Sequence, residues 1–196
     1  HKLDSDFALI IVPFGSYIEK EGAIRCCTSS WRRMNDTNMP PRVKISGNYV
    51  NSILAKTEAV MAGFDEGIML NQDGSVSEGT GENLFLVIDG KIHTPSLENN
   101  ILTGITRDSV FHLIKNELAL EVIERPIDRS EIYLADEMFL TGTAAHVTPV
   151  GELDNRKIGS GKVGPVTEEL SSIYAKVIRG EEKAYLDWCT PISVNS

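Results

Sequence analysis

The chain has 196 residues, 41% hydrophobic and 24% charged, with a formal net charge of -9 and a pI of about 5.0. That balance is ordinary for a soluble globular protein and argues against binding a nucleic-acid backbone, which needs a clustered basic surface. No segment reaches the roughly 18 apolar residues that cross a membrane, and the first residues do not read as a signal peptide.

Elements alternate along the chain. Residues 7–12 (Phe-Ala-Leu-Ile-Ile-Val) are a continuous apolar run and predict a buried strand. Residues 23–29 predict a second strand, with Cys26 and Cys27 on alternate faces. The odd count of three cysteines has no CxxC spacing, so neither a disulfide framework nor a zinc site is expected, and a reducing, cytoplasmic setting is the simpler reading. The four histidines show no ligand spacing, so no metal is expected. Residues 32–43, with Pro40-Pro41, read as an ordered connection. Residues 48–61 carry Tyr49, Ile53, Leu54, Thr57, Val60 and Met61 at helical spacing, and Gly63 is a natural stop.

Strands are expected at 67–70 and 83–88, on either side of an acidic loop. Asp89-Gly90 then turns a hairpin into 91–94. A helix is expected over 106–118 with Val110, Phe111, Ile114 and Leu118 on one face. Strands at 121–127 and 137–140 bracket a short helix near 129–134. A small-residue turn occupies 141–145, and a last amphipathic helix runs over 163–179. One domain is expected, residues 1–196.

Four features could carry chemistry. Lys44 lies between Val43 and Ile45; burial of that segment would desolvate its amine and free it for imine chemistry. The bland alternative is a surface lysine. The acidic loop 77–83 holds Glu78 and Glu82, carboxylates able to take a proton, a cation or a ring nitrogen, or simply to face water. Residues 102–108 open a helix whose free N–H groups suit a phosphate; a plain N-cap by Thr103 or Thr106 is the commoner reason for such a sequence. Gly142-Thr143-Ala144-Ala145 lets backbone N–H groups approach an anion, or merely connects two strands. An amine, a carboxylate, a phosphate cradle and a second anion nest are together what pyridoxal phosphate needs.

These motifs resemble the fold-type IV pyridoxal-phosphate aminotransferases, and among them the branched-chain amino-acid aminotransferases. The matching text is Lys44-Ile45-Ser46-Gly47-Asn48-Tyr49, Gly63-Phe64-Asp65-Glu66-Gly67, residues 76–85, Gly104-Ile105-Thr106-Arg107, Gly142-Thr143-Ala144-Ala145 with Thr148-Pro149-Val150, and Gly164-Pro165-Val166-Thr167.

The resemblance implies a mixed α/β (α+β) fold, the C-terminal large domain of that family, with a twisted barrel-like sheet flanked by helices. It implies that Lys44 anchors the cofactor covalently and then moves protons. Glu78 would pair with the pyridine nitrogen and Tyr49 with the phenolic oxygen. Backbone N–H groups of Ile105 and Thr106, with the Thr143 side chain, would hold the phosphate. The backbone of Ala144 and Ala145 would take the substrate carboxylate, and Glu82 would support the site.

The implied reaction is transamination between a branched-chain amino acid and 2-oxoglutarate, in a homodimer or higher homo-oligomer. D-amino-acid aminotransferases and aminodeoxychorismate lyase share most of the motifs; the second carboxylate, Glu82, favours the branched-chain group. A non-catalytic fragment is the reading from another class. Members carry an N-terminal small domain of about one hundred residues that has no counterpart in this sequence. His146 stands where many relatives would have an acidic residue and is expected to face solvent.

Overall fold

The computed structural model describes residues 4–12 and 22–191. Among the described residues nine strands form one sheet: β1 (Ile24–Arg32), β2 (Glu66–Leu70), β3 (Val76–Gly79), β4 (Asn83–Ile88), β5 (Lys91–Thr94), β6 (Val122–Glu124), β7 (Glu137–Gly142), β8 (His146–Leu153) and β9 (Arg156–Lys157). Three α-helices of the described residues accompany it: α1 (Tyr49–Met61), α2 (Ile105–Glu117) and α3 (Pro165–Ile178). The strand order is β3-β2-β1-β8-β7-β4-β5-β6, with β9 on β8. The pairs β1–β2, β1–β8 and β5–β6 are parallel and the others antiparallel.

The order forces the sheet to curl. Strands β3 and β4 stand five places apart in it, which in a flat sheet is about 24 Å at ~4.8 Å per strand. Only Thr80, Gly81 and Glu82 join them, a link that reaches about 15 Å at most. The two strand ends meet instead, with Gly79 N–H donating to the Glu82 carbonyl at 2.8 Å. The sheet is therefore the barrel-like layer that the family resemblance implies.

Period-two patterning loads both faces. On β4, Leu84 and Leu86 enter one buried cluster while Phe85 and Val87 enter the other. On β7, Met138 and Leu140 oppose Phe139 in the same way. Phe85 and Phe139 are register partners, with rings stacked 4.9 Å apart at 4°. Helices α2 and α3 cover that second face through Val110, Leu113, Ile114, Leu170 and Val177. Burial on both faces explains why β4 reads as an unbroken apolar run. The expected hairpin is present, with Asp89 and Gly90 at φ 50° and 72°, the left-handed pair of a tight turn.

Several expectations are corrected. Residues 7–12 form no strand: they pair with no described strand, and Phe7, Leu9, Ile10, Ile11 and Val12 are 60–91% exposed. An apolar run becomes a strand only where a sheet edge accepts it. The strand expected over 121–127 shrinks to β6, whereas the short helix expected near 129–134 is present, as a 3-10 helix braced by an Asp128–Glu131 capping box. Strands β8 and β9 have no counterpart among the expected elements.

Helix α1 has the predicted extent and the opposite orientation. Its buried residues are Ser52, Ala55 and Ala59, while Val50, Ile53, Leu54, Val60 and Met61 face outward. Close approach to β2 is the reason: a Cβ on Gly67 would lie 3.3 Å from the Ala55 carbonyl oxygen and 3.6 Å from the Ala59 methyl.

Candidate active site

Glu78 is part of strand β3 rather than of a loop. Its carboxylate is 4% exposed and fully engaged. Arg33, which follows β1 and is itself buried, meets Oε1 at 2.6 Å. Oε2 accepts from Asn83 Nδ2 at 2.9 Å and from the Leu102 N–H at 3.0 Å. Burial pushes the Glu78 carboxyl up to about 7, against the lowering influence of Arg33, the Leu102 N–H, Lys44 and Arg107.

Arg33 is held by its backbone N–H to the Leu70 carbonyl at 2.8 Å and by longer side-chain contacts to Ser52 Oγ (3.3 Å) and the Asn100 carbonyl (3.4 Å). Sequence reasoning missed it, because nothing local marks an arginine just past a strand end as a carboxylate partner.

Lys44 sits at the centre of a γ-turn, with Ile45 N–H donating to the Val43 carbonyl at 2.9 Å. Asn48 Nδ2 braces this turn by donating to the Pro40 and Val43 carbonyls, each at 3.0 Å. Lys44 Nζ donates to Tyr49 Oη at 2.5 Å. The burial expected around the amine is not there: Val43, Lys44 and Ile45 are all exposed. The turn projects from the rim of the cleft, and no described element covers it.

Two adjoining clefts share Lys44, Gly81, Asn83 and Leu102. The first also holds Arg33, Tyr49, Glu78 and Glu82, and the second holds Ile105, Thr106 and Thr143 together with Arg42 and Thr141. Helix α2 begins at the second cleft with Gly104 as its cap and no side-chain capping bond. Neither Thr103 nor Thr106 caps it, so its first N–H groups remain available to an anion. Thr141 Oγ1, on the wall of the same cleft, is buried with no hydrogen-bond partner. Ala144 and Ala145 follow on the turn between β7 and β8, and His146 is exposed, as expected.

Glu82 lies behind this arrangement, 3% exposed, with Oε2 accepting the Gly81 N–H at 3.1 Å. Burial first, and the neighbouring Glu66 second, push its carboxyl up to about 8. Glu66 is wholly buried and satisfied by Lys56 Nζ at 2.5 Å, Thr80 Oγ1 at 2.6 Å and the Gly67 N–H at 2.8 Å. Three carboxyls thus share this region with two paired cations, Arg33 and Lys56. A proton retained on Glu82 balances the charge.

The geometry joins an amine beside a phenol, a buried carboxylate and an uncapped helix start. The sequence family described as amino-transferase class IV matches residues 1–153. The chain belongs to the class IV aminotransferases. It is 54% identical over 187 residues to a probable branched-chain-amino-acid aminotransferase of Aquifex aeolicus, covering 95% of this chain and 60% of that protein. Against the branched-chain-amino-acid aminotransferase of Salmonella typhimurium, identity is 40%, over 96% of this chain and 62% of the relative.

Among solved structures, the holo-form of the Thermobaculum terrenum branched-chain amino acid aminotransferase superimposes with a TM-score of 0.88 at 45% identity, over 93% of this chain and 59% of that one. A second solved branched-chain amino acid aminotransferase, complexed with N-(5'-phosphopyridoxyl)-L-glutamate, gives a TM-score of 0.83 at 48% identity, over 86% of this chain and 56% of that one. The fold is that of the fold-type IV aminotransferases. The chain spans about 60% of the length of the curated relatives it matches.

Proposed function

We propose that this class IV aminotransferase chain binds pyridoxal 5'-phosphate and transfers amino groups between branched-chain amino acids (leucine, isoleucine, valine) and 2-oxoglutarate. The observation that carries the reading is the Lys44–Tyr49 pair and the Glu78 carboxylate in one cleft, next to the uncapped start of α2 in the other. The second cleft fits a phosphate on its own evidence, since it offers free helix N–H groups and the unpartnered Thr141 hydroxyl.

In this reading Lys44 anchors the cofactor and Glu78 faces its ring nitrogen. Tyr49 hydrogen-bonds the phenolic oxygen. The N–H groups of Ile105 and Thr106, with Thr143, hold the phosphate. Ala144 and Ala145 receive the substrate carboxylate through their backbone, and Glu82 supports the wall behind them. The bound cofactor supplies an aldehyde for the amino group and an electron-withdrawing ring. Lys44 Nζ, once free, would carry a proton between the substrate's α carbon and the cofactor, while Tyr49 Oη sets the position of that amine. Arg33 favours the ionised form of Glu78, and in that form the carboxylate would hold the ring nitrogen's proton in place.

Residues 1–196 act in this reading as a single cofactor-binding unit, supported by the one continuous sheet. A cytoplasmic setting is supported by the free, buried Cys26 and Cys27, and a homo-oligomer by family resemblance. Among the described residues no helix is long and apolar enough to cross a membrane.

The test is direct. The chain is mixed with pyridoxal phosphate, reduced with borohydride and digested. A phosphopyridoxyl label on Lys44 is expected, and its absence would refute the reading. A panel of valine, leucine, isoleucine, D-alanine and glutamate then separates the activities. A preference for D-alanine would overturn the branched-chain assignment, and labelling without turnover would point to a binding unit only.

A further inference from the structure

We propose that Asn83 is a positioning residue that fixes the span between the carboxylate of Glu78 and the phosphate-binding start of α2. The proposal rests on the cofactor reading above. Asn83 is 4% exposed, at the first residue of β4. Its Nδ2 donates to Glu78 Oε2 at 2.9 Å and also to the Leu102 carbonyl at 2.9 Å. Two acceptors on one nitrogen fix which end of the amide is which.

The same residues close a ring of bonds. The Leu102 N–H returns to Glu78 Oε2 at 3.0 Å, and the Gly104 N–H donates to the Leu102 carbonyl at 2.9 Å. The Asn83 oxygen occupies the space that a Cβ on Gly104 would need. Gly104 is the cap of α2, so the amide touches the residue from which the free N–H groups begin. On its other side, the Asn83 backbone pairs with Thr141 of β7, a residue on the wall of the same cleft.

A rigid ligand with a ring nitrogen at one end and a phosphate at the other gains both contacts only if the two receptors stand at the right separation. Glu78 belongs to β3 and the phosphate loop to α2, two elements that share no ladder. Asn83 bridges them through its side chain. Without it each half can still bind its own end of the ligand, and the coupling between them rests on the Leu102 N–H to Glu78 bond alone and is weakened.

The experiment compares two ligands that differ only in the phosphate. Equilibrium dissociation constants for pyridoxal phosphate and for pyridoxal are measured by visible absorbance on the full chain, as wild type and as Asn83→Ala. The ratio of the two constants reports what the phosphate adds. The ratio is expected to fall by about tenfold in Asn83→Ala. Equal weakening of both ligands, or no change in either, overturns the proposal.

Asn83→Asp, which keeps the outline and removes the donor, and Gly104→Ala, whose methyl displaces the amide oxygen, give independent readings if Asn83→Ala does not fold. Both are expected to lower the ratio, and an unchanged ratio in both counts against the proposal. A wild-type chain that binds neither ligand refutes the cofactor reading itself. A wild-type chain that binds both, with the same ratio in every variant, overturns only the role of Asn83.

Discussion

Replacing Arg33 by methionine should produce a stability loss whose size depends on pH. The guanidinium contacts Glu78 Oε1 at 2.6 Å, and both side chains are nearly sealed from water, at 7% and 5% exposure. Removing one partner of a buried ion pair costs about 3–5 kcal/mol when the other stays charged. Glu78 can avoid that cost by keeping a proton. Its carboxyl already lies at about 7, and Arg33 is the first of the influences that hold it down. The others are the Leu102 N–H, Lys44 and Arg107.

Without Arg33 the native variant holds its proton to higher pH, whereas the unfolded chains of variant and wild type titrate alike at this residue. Above pH 7 the native variant therefore binds more protons than the native wild type. Its relative stability falls by about 1.4 kcal/mol per pH unit until the ceiling of about 3–5 kcal/mol. Near pH 6 the carboxyl is largely neutral in both, and what is lost is the hydrogen bond to Glu78 and the long contacts to Ser52 and Asn100, about 1–2 kcal/mol together.

Urea unfolding of the cofactor-free chain, followed by circular dichroism at about pH 6, 7.5 and 9, measures the gap. A gap that stays constant over this range would refute the charge coupling of Arg33 to Glu78.

Glu82→Gln should act in the opposite direction. The native carboxyl lies at about 8 and the unfolded one near its ordinary value, so the wild type loses stability as pH rises between them. The variant escapes that loss: it should match wild type near pH 4, lead it by about 2 kcal/mol near pH 6 and lead by more near pH 8, as thermal melts would show. Phe139→Ala empties a fully buried site stacked on Phe85 and should cost about 3–5 kcal/mol in urea unfolding. Thr141→Val replaces a buried hydroxyl that has no partner, so the cofactor-free chain should lose less than about 1 kcal/mol or gain. Its affinity for pyridoxal phosphate should nevertheless fall several-fold in an absorbance titration, and an unchanged affinity would remove Thr141 from the phosphate cleft.

Local signals read well where local physics decides. The Asp89-Gly90 hairpin, the amphipathic patterns of α2 and α3 and the motif residues Lys44, Tyr49 and Glu78 are all legible in the sequence, because turn chemistry, helical period and side-chain type belong to a few consecutive residues. Tertiary structure decided the rest. Whether 7–12 becomes a strand depends on a partner edge, which no periodicity encodes. Helix α1 turns its large residues outward because Gly67 and two alanines demand close packing against β2. Glu78 acquires its raised proton affinity, its arginine and its link to Asn83 only when the curl of the sheet brings β3 back beside β4. The sequence by itself determined which groups are present. The fold determined their separation, their burial and so their charge, because desolvation and ion pairing arise between residues far apart in the chain.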